Sequence, residues 1–304
     1  MNEPLAYTNG KTVPLSSVSI SLFDAGFVLG TTIAEQLRTF GGKIFRLDDH
    51  LARLTASLEI IDVSISESPS RLAAVADELV DHNHALLETG DDLGLAILVS
   101  PGGSSGYRTS DNGGPTVILY TYPLPFRLWH EKYELGQKLV IPPTRQVPGA
   151  CWPSALKCRS RMHYYLADRQ AEALEPGSRA LLLDTEGHVT EASTANVLLY
   201  RAGQGLISPP HDKVLPGISL AAAVEIVAQM GQPLTERDLT PDDLLAADEV
   251  FLTSTPLCLL PVVSVDGHPI GSGRPGQVFR RLINSWSDSV GLDIIAQAHR
   301  FADR

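Results

Sequence analysis

Cysteine is scarce in this chain. Only Cys151, Cys158 and Cys258 occur, and none of them forms a CxxC pair. That excludes a disulfide framework and predicts a reducing, cytoplasmic compartment, with no metal site expected. Basic residues are also outnumbered, 24 Lys and Arg against 35 Asp and Glu, for a formal net charge of -11 without any basic block. This balance argues against nucleic acid or an anionic membrane as partner, and leaves room for a local basic pocket that takes a small anion. No apolar run approaches the roughly 18 residues needed to cross a bilayer. The opening "MNEPLAYTNG" lacks the basic start and apolar stretch of a secretory leader, so none is expected. Internal repeats and low-complexity tails are absent too. What is present is 304 residues of ordinary globular composition, 43% hydrophobic, which is enough chain for about two domains.

The patterning is mixed α/β. Asn9-Gly10 between two short extended runs predicts a hairpin, and "VSISLF" (18–23) alternates like a strand. "AEQLRTFGGKIFRL" (34–47) predicts two strands joined at Gly41-Gly42. Asp48 is then placed to cap a helix in which Leu51, Leu54, Leu58 and Ile61 recur at helical spacing. A second helix is expected over about 70–87, then two strands flanking the glycine- and serine-rich "PGGSSGYRTSDNGG". Residues 1–122 read as an N-terminal α/β domain, 123–136 as a linker and 137–304 as a C-terminal domain. In that second part "SRMHYYLADRQAEAL" predicts a helix and "RALLLD", "HVT", "NVLLY" and "GLIS" short strands. "ISLAAAVEIVAQM" predicts a helix entered through Pro216-Gly217. "EVFLTST" and "LLPVVSVDG" predict strands, and a last helix is expected over about 276–289.

One acid stands out. Glu191 sits between apolar runs in "GHVTEASTANVLLY", where a lone carboxylate is costly unless something positive meets it. Ile218 and Ser219 open a helix directly after "LPG". The free N–H groups of a helix start bind anions, and Gly217 permits close backbone approach. Thr255, after the strand "EVFLT", and Arg53, in "HLARL", are residue types that accompany a phosphate. Lys157, among Ala155, Leu156 and Cys158, reads either as a solvated lysine or as a partly buried one suited to Schiff-base chemistry. Singly, each has a plainer reading: a capped turn, an ordinary Pro-Gly helix entry, a surface charge. Together they match the needs of pyridoxal 5′-phosphate, which takes a lysine for its aldehyde, donors for its phosphate and an acid for its pyridine nitrogen.

With those residues in view, the chain resembles the class IV pyridoxal-phosphate aminotransferases, the group of branched-chain and D-amino acid aminotransferases and aminodeoxychorismate lyase. The resemblance is carried by "FDAGFVLGTTIAEQLRTFGGKIFRLDDHLARLTAS", by "LK" with "LADRQAEA" behind it, and by "ALLLDTEGHVTEASTANVLL", "VLPGISL" and "DEVFLTSTPLCLLPVVSVDG". They come in the family's order and span most of residues 18–267. The resemblance implies a two-domain α/β fold like that of D-amino acid aminotransferase, with the cofactor between the domains, and a homodimer. It implies transfer of an amino group between an amino acid, branched-chain or otherwise apolar, and a 2-oxo acid by a ping-pong mechanism. It implies Lys157 as the catalytic, cofactor-binding lysine and Glu191 as partner of the pyridine nitrogen. Arg53, Ile218, Ser219 and Thr255 follow as the phosphate ligands. Glu35 and Arg38 fall on a strand that faces the substrate in the family, which makes Arg38 the expected carboxylate contact. Its plain alternative is a salt bridge to Glu35 or a surface charge.

Several positions depart from the family's pattern. Ser219 and Leu220 stand where the family often has Thr-Arg; the hydroxyl is kept. Pro256, which has no N–H, follows the phosphate threonine where a substrate-binding N–H is common. Pro101 lies near the place of a carboxylate-binding arginine of the D-amino acid enzymes. Met162 replaces a tyrosine of the branched-chain enzymes, with Tyr164 or Tyr165 as substitutes. These departures leave the cofactor reading intact and the substrate open. A lyase on the same scaffold is the nearest rival, suggested by "GGSSGYRTSDNGGP". A cofactor-free binding protein is the second rival, opposed by the joint presence of Lys157 and Glu191.

Overall fold

The computed structural model describes residues 3–103, 114–231 and 234–303. The glycine-rich stretch that suggested a lyase falls largely outside these. The chain divides into two compact units, one of residues 1–124 with 156–160, the other of residues 125–155 with 161–304. Among the described residues no helix is long and apolar enough to cross a membrane.

The first unit is built on an antiparallel sheet. Its strands are β1 (Leu5–Thr8), β2 (Lys11–Pro14), β3 (Ile33–Phe40), β4 (Lys43–Ile44), β5 (Leu93–Ser100) and β6 (Thr116–Pro123), in the order β2-β1-β6-β5-β3-β4. A short helix α1 (Ala25–Val28) precedes β3, and α2 (Leu47–Ile60) and α3 (Pro69–His84) follow β4. The apolar stripes of α2 and α3, including Leu54, Leu58, Val75 and Leu79, pack on Ile33, Leu37, Leu95, Ile97 and Leu119 of one sheet face. Alternation along the strands therefore sends odd-numbered β3 residues toward these helices and even-numbered ones to the opposite face. Two expectations change here. Val18–Phe23 forms no strand: among the described residues no sheet strand pairs with it, and most of it is exposed. The N-cap of α2 is Arg46, with φ 52°, rather than Asp48, which lies in the first helical turn.

The second unit holds β7 (Gln137–Val140), β8 (Arg179–Leu183), β9 (Val189–Ala192), β10 (Ala195–Arg201), β11 (Gly205–Ser208), β12 (Leu234–Glu236), β13 (Glu249–Ser254), β14 (Cys258–Val265) and β15 (His268–Pro269). The order is β12-β11-β10-β13-β14-β7-β8-β9, with β15 on β14, and β9 also pairs with β10. That last pairing closes β10-β13-β14-β7-β8-β9 into a barrel, which removes the sheet edge at β9. Its helices are α4 (Lys132–Leu135), α5 (Met162–Leu174), α6 (Ile218–Gln229), α7 (Pro241–Leu245), α8 (Gln277–Val290) and α9 (Ile294–Arg300). The expected linker 123–136 is not a tether. From Pro125 onward it belongs to the second unit, because Phe126, Trp129 and Tyr133 are buried there and Phe126 stacks on Phe301. Conversely 156–160, expected in the C-terminal domain, adds to the first unit by pairing with β3.

Candidate active site

In the first unit the polar machinery hangs on α2 and β3. His50, Arg53 and Ser57 recur at i, i+3 and i+7, so they share the sheet-facing side of α2. Glu35 points toward them from β3 and is fully buried. Its Oε1 accepts a hydrogen bond from Arg53 Nε at 2.8 Å, and its Oε2 accepts one from Arg53 Nη2 at 2.7 Å. His50 Nδ1 lies 2.7 Å from the same Oε2. Because an ionised carboxylate only accepts, that nitrogen carries the proton. Burial pushes the Glu35 carboxyl up, but the bonds from Arg53 and His50 and the charges of Arg53 and Lys157 outweigh it, holding the group at about 2. Burial lowers His50 below its usual value against the pull of Glu35, and its buried Nε2 has no hydrogen-bond partner among the described residues.

Lys157 is clamped by its backbone. Its carbonyl accepts from Ala34 N at 3.0 Å, and its N–H reaches Ser57 Oγ at 3.3 Å. Next to it Cys158 pairs with Ile33 and packs with it into the α2/α3 core. Leu156 packs into the same core, so Lys157, between the two, projects away from it; Lys157 is 8% exposed.

In the second unit the site grows from the β9–β10 turn, where Thr194 has φ 62°. The register pairs Glu191 with Asn196 and Asn196 with Thr253, so three polar side chains form one row across β9, β10 and β13. Glu191 is buried, and its Oε1 accepts from both the Tyr164 hydroxyl and Gln146 Nε2, each at 2.5 Å. Val147 N donates to Gln146 Oε1 at 3.1 Å, which orients the amide so that its NH2 meets the carboxylate. Burial, reinforced by the Glu191 charge, raises the Tyr164 phenol well above its usual value, so it stays a donor. Asn196 Nδ2 donates to the Leu215 carbonyl at 2.8 Å. This draws the Leu215–Gly217 turn so close that a Cβ on Gly217 would lie 2.0 Å from Asn196 Oδ1; only glycine fits. The turn delivers the start of α6. Its N-cap, Gly217, provides no side-chain acceptor for the first N–H groups, and Ser219 is buried in the first turn. Thr253 Oγ1 is buried without a hydrogen-bond partner among the described residues. Thr255 lies half-buried in the turn after β13.

Each unit, taken by itself, carries donors of the kinds that pyridoxal 5′-phosphate takes. The second unit supplies a braced acid, an uncapped helix start with a hydroxyl, and an unpartnered hydroxyl beside them. The first supplies a clamped lysine and an arginine.

The expected substrate-side residues are placed as follows. Strand alternation turns Glu35 to the helix side, where Arg53 and His50 take its oxygens. Arg38 lies on the opposite face of β3 and is 1% exposed, so it makes no salt bridge to Glu35. Its guanidinium sits 4.0 Å over the Phe40 ring and its Nε donates to the Thr39 carbonyl. Of the candidate substitutes for the missing tyrosine, Tyr164 meets Glu191, whereas Tyr165 and Met162 are exposed. Sequence reasoning missed His50, Ser57, Gln146, Asn196 and Thr253. The first two carried a signal, since polar residues at i and i+7 on the apolar stripe of a helix need partners. The other three carried none.

Residues 32–265 match the family described as amino-transferase class IV. The chain is 28% identical to a D-alanine aminotransferase of Bacillus licheniformis over 93% of this chain and 95% of that protein. It is 27% identical, over the same shares, to a putative branched-chain-amino-acid aminotransferase of Methanocaldococcus jannaschii. Among solved structures it is similar to a T.th. branched-chain amino acid aminotransferase with pyridoxamine 5′-phosphate. The TM-score is 0.85 at 26% identity, covering 95% of this chain and 94% of that one. The chain belongs to the class IV aminotransferase family.

Proposed function

We propose that this class IV aminotransferase moves an amino group from a branched-chain or other apolar amino acid to a 2-oxo acid, using pyridoxal 5′-phosphate. The observation that carries this reading is Lys157: a nearly buried lysine, backbone-clamped to β3 and Ser57, within the matched family region. When bound, the cofactor supplies the electron sink that makes the substrate α-carbon acidic. Lys157 Nζ would hold the cofactor through its aldehyde, and the lysine amine would serve as the base that removes the substrate α-proton and the acid that returns it. Glu191, oriented by Tyr164 and Gln146, holds a proton on the ring nitrogen. The N–H groups of Ile218 and Ser219, the Ser219 hydroxyl and Thr255 bind the phosphate, with Arg53 adding charge.

The D-alanine and branched-chain relatives stand at nearly equal identity, so the handedness rests on the substrate assay. A homodimer is supported by the apolar side chains of Ile20, Leu22, Phe23, Phe27, Val28 and Leu29, which are 39–72% exposed in one short stretch of the first unit. The scarcity of cysteine, three in 304 residues, supports a reducing, cytoplasmic setting. Borohydride reduction of the loaded protein followed by peptide mapping tests the central assignment. The pyridoxyl label is expected on Lys157 and absent from Lys157→Ala; a label on any other lysine refutes it. Transfer to 2-oxoglutarate rather than release of pyruvate separates the transaminase from a lyase, and a panel of L- and D-amino acids assigns the donor.

A further inference from the structure

Lys157 is one of two cations that segment 156–160 sends to the same face. The bridge between Ile33 and Cys158, flanked by Ala34 N to Lys157 O and Arg159 N to Thr32 O, puts Cys158 in the helix-side core. Leu156 packs into the same core, so Lys157 and Arg159, which alternate with Leu156 and Cys158, turn away from α2 and α3, toward the face that also carries Gln36 of β3.

That face is polar and built. The Tyr122 hydroxyl donates to Gln36 Oε1 at 2.7 Å, reaching from β6 to β3 across β5. The crossing is possible only because residue 94 of β5 is glycine: a Cβ there would lie 2.3 Å from the Tyr122 ring. Burial, with the neighbouring Tyr120, pushes the Tyr122 phenol up to about 12 against the opposing charge of Arg159. The Arg159 charge thus acts on the Tyr122 hydroxyl of that pair. Arg159 is half-buried, and among the described residues its side chain has neither an ion pair nor a hydrogen bond. A half-buried, unpaired guanidinium beside a reactive lysine calls for an anion.

We propose that Arg159 binds the substrate α-carboxylate, with the Gln36 amide as a second donor. The inference rests on Lys157 as the cofactor lysine. The α-carboxylate carbon is two bonds from the amino nitrogen that takes the place of Lys157 Nζ, so the carboxylate lies beside that nitrogen. The longer arginine stem next to the lysine suits that position. Arg38, engaged with Phe40 and Thr39, is not required for it.

The test is calorimetric titration of the holoenzyme with 4-methylvalerate, an apolar carboxylate without an amino group, alongside 4-methylpentan-1-ol, which has no charge. The Kd for 4-methylvalerate is expected to weaken about 30- to 100-fold in Arg159→Gln, the size of a lost hydrogen bond to a charged group, and less in Arg159→Lys. Binding of the alcohol, which has no charge for Arg159 to meet, is expected to stay at the unmodified level in Arg159→Gln. An unchanged Kd in Arg159→Gln, a loss confined to Arg38→Gln, or no binding of 4-methylvalerate by the unmodified enzyme overturns the inference. Pyridoxyl labelling of each variant separates the two levels. A label on Lys157 with any of those outcomes defeats the Arg159 assignment alone, and a label elsewhere defeats the underlying reading.

Discussion

Each unit buries a glutamate, and the two are held in opposite ways. Glu35 is gripped by a guanidinium on both oxygens and by an imidazole, all from within the first unit. Glu191 receives a phenol and an amide on a single oxygen. Cationic donors neutralise a carboxylate as they bind it, whereas neutral donors orient it and leave its charge to act on a further group. The first arrangement fixes an arginine and a helix on a strand. The second suits an acid whose task is to hold a proton on a ring nitrogen. Both acids are buried, and the kind of donor each accepts from is what distinguishes them.

The sharpest break in this comparison is removal of the cation. Arg53→Met leaves Glu35 without its main partner in a fully buried site and is expected to cost about 3–5 kcal/mol of stability. Urea unfolding of the cofactor-free protein checks this, and a loss under about 1 kcal/mol would make Glu35 no more structural than Glu191.

Acid probes the same contrast without mutation. Glu35 is lowered from the usual 4.5 to about 2, so the unfolded chain binds its proton more readily than the folded one. Its contribution, about 3 kcal/mol, is complete above pH 4.5 and is lost as pH falls through about 2. His50 is also lowered, so it removes stability earlier, as pH falls below 6.5 and the unfolded imidazole takes a proton. Stability measured from pH 8 downward should show both limbs, and His50→Gln should remove only the earlier one.

Glu191→Gln reverses the pattern. Gln keeps an acceptor for Tyr164 and Gln146 but no charge, so turnover is expected to fall about 100-fold while stability moves by less than about 1 kcal/mol. Near-normal transamination by this variant would return Glu191 to the structural class.

The smallest effect belongs to the brace. Tyr164→Phe removes one neutral donor and is expected to lower kcat about tenfold, near the worth of one hydrogen bond to a charged group. In a Glu191→Gln background the same change should cost less, because the two side chains act as a pair. Full additivity in that cycle would separate them.

Much of the fold was legible in the sequence because apolar periodicity and turn residues act locally. The two strands joined at Gly41-Gly42, the Asn9-Gly10 hairpin, the second helix and the helix after Pro216-Gly217 all form as their patterns predict. Val18–Phe23 misled because alternation alone does not supply a neighbouring strand. The stretch 123–136, expected as a linker, places Phe126, Trp129 and Tyr133 in the interior of the second unit, and which aromatic residues find a core is decided by tertiary packing.

By itself, the sequence determined the family, the cofactor lysine and the acid as candidates, and the helix start at Ile218 and Ser219. These are carried by residue identity and short spacing, which survive without coordinates. Tertiary structure alone decided the partners. The parity of β3 sends Glu35 to Arg53 and Arg38 to the other face. Barrel closure brings β9 to β10 and sets Glu191 opposite Asn196. Pairing of Cys158 with Ile33 turns Arg159 and Lys157 out together. Each of these contacts joins residues far apart in the chain, and strand register, a property of two segments at once, is what selects them.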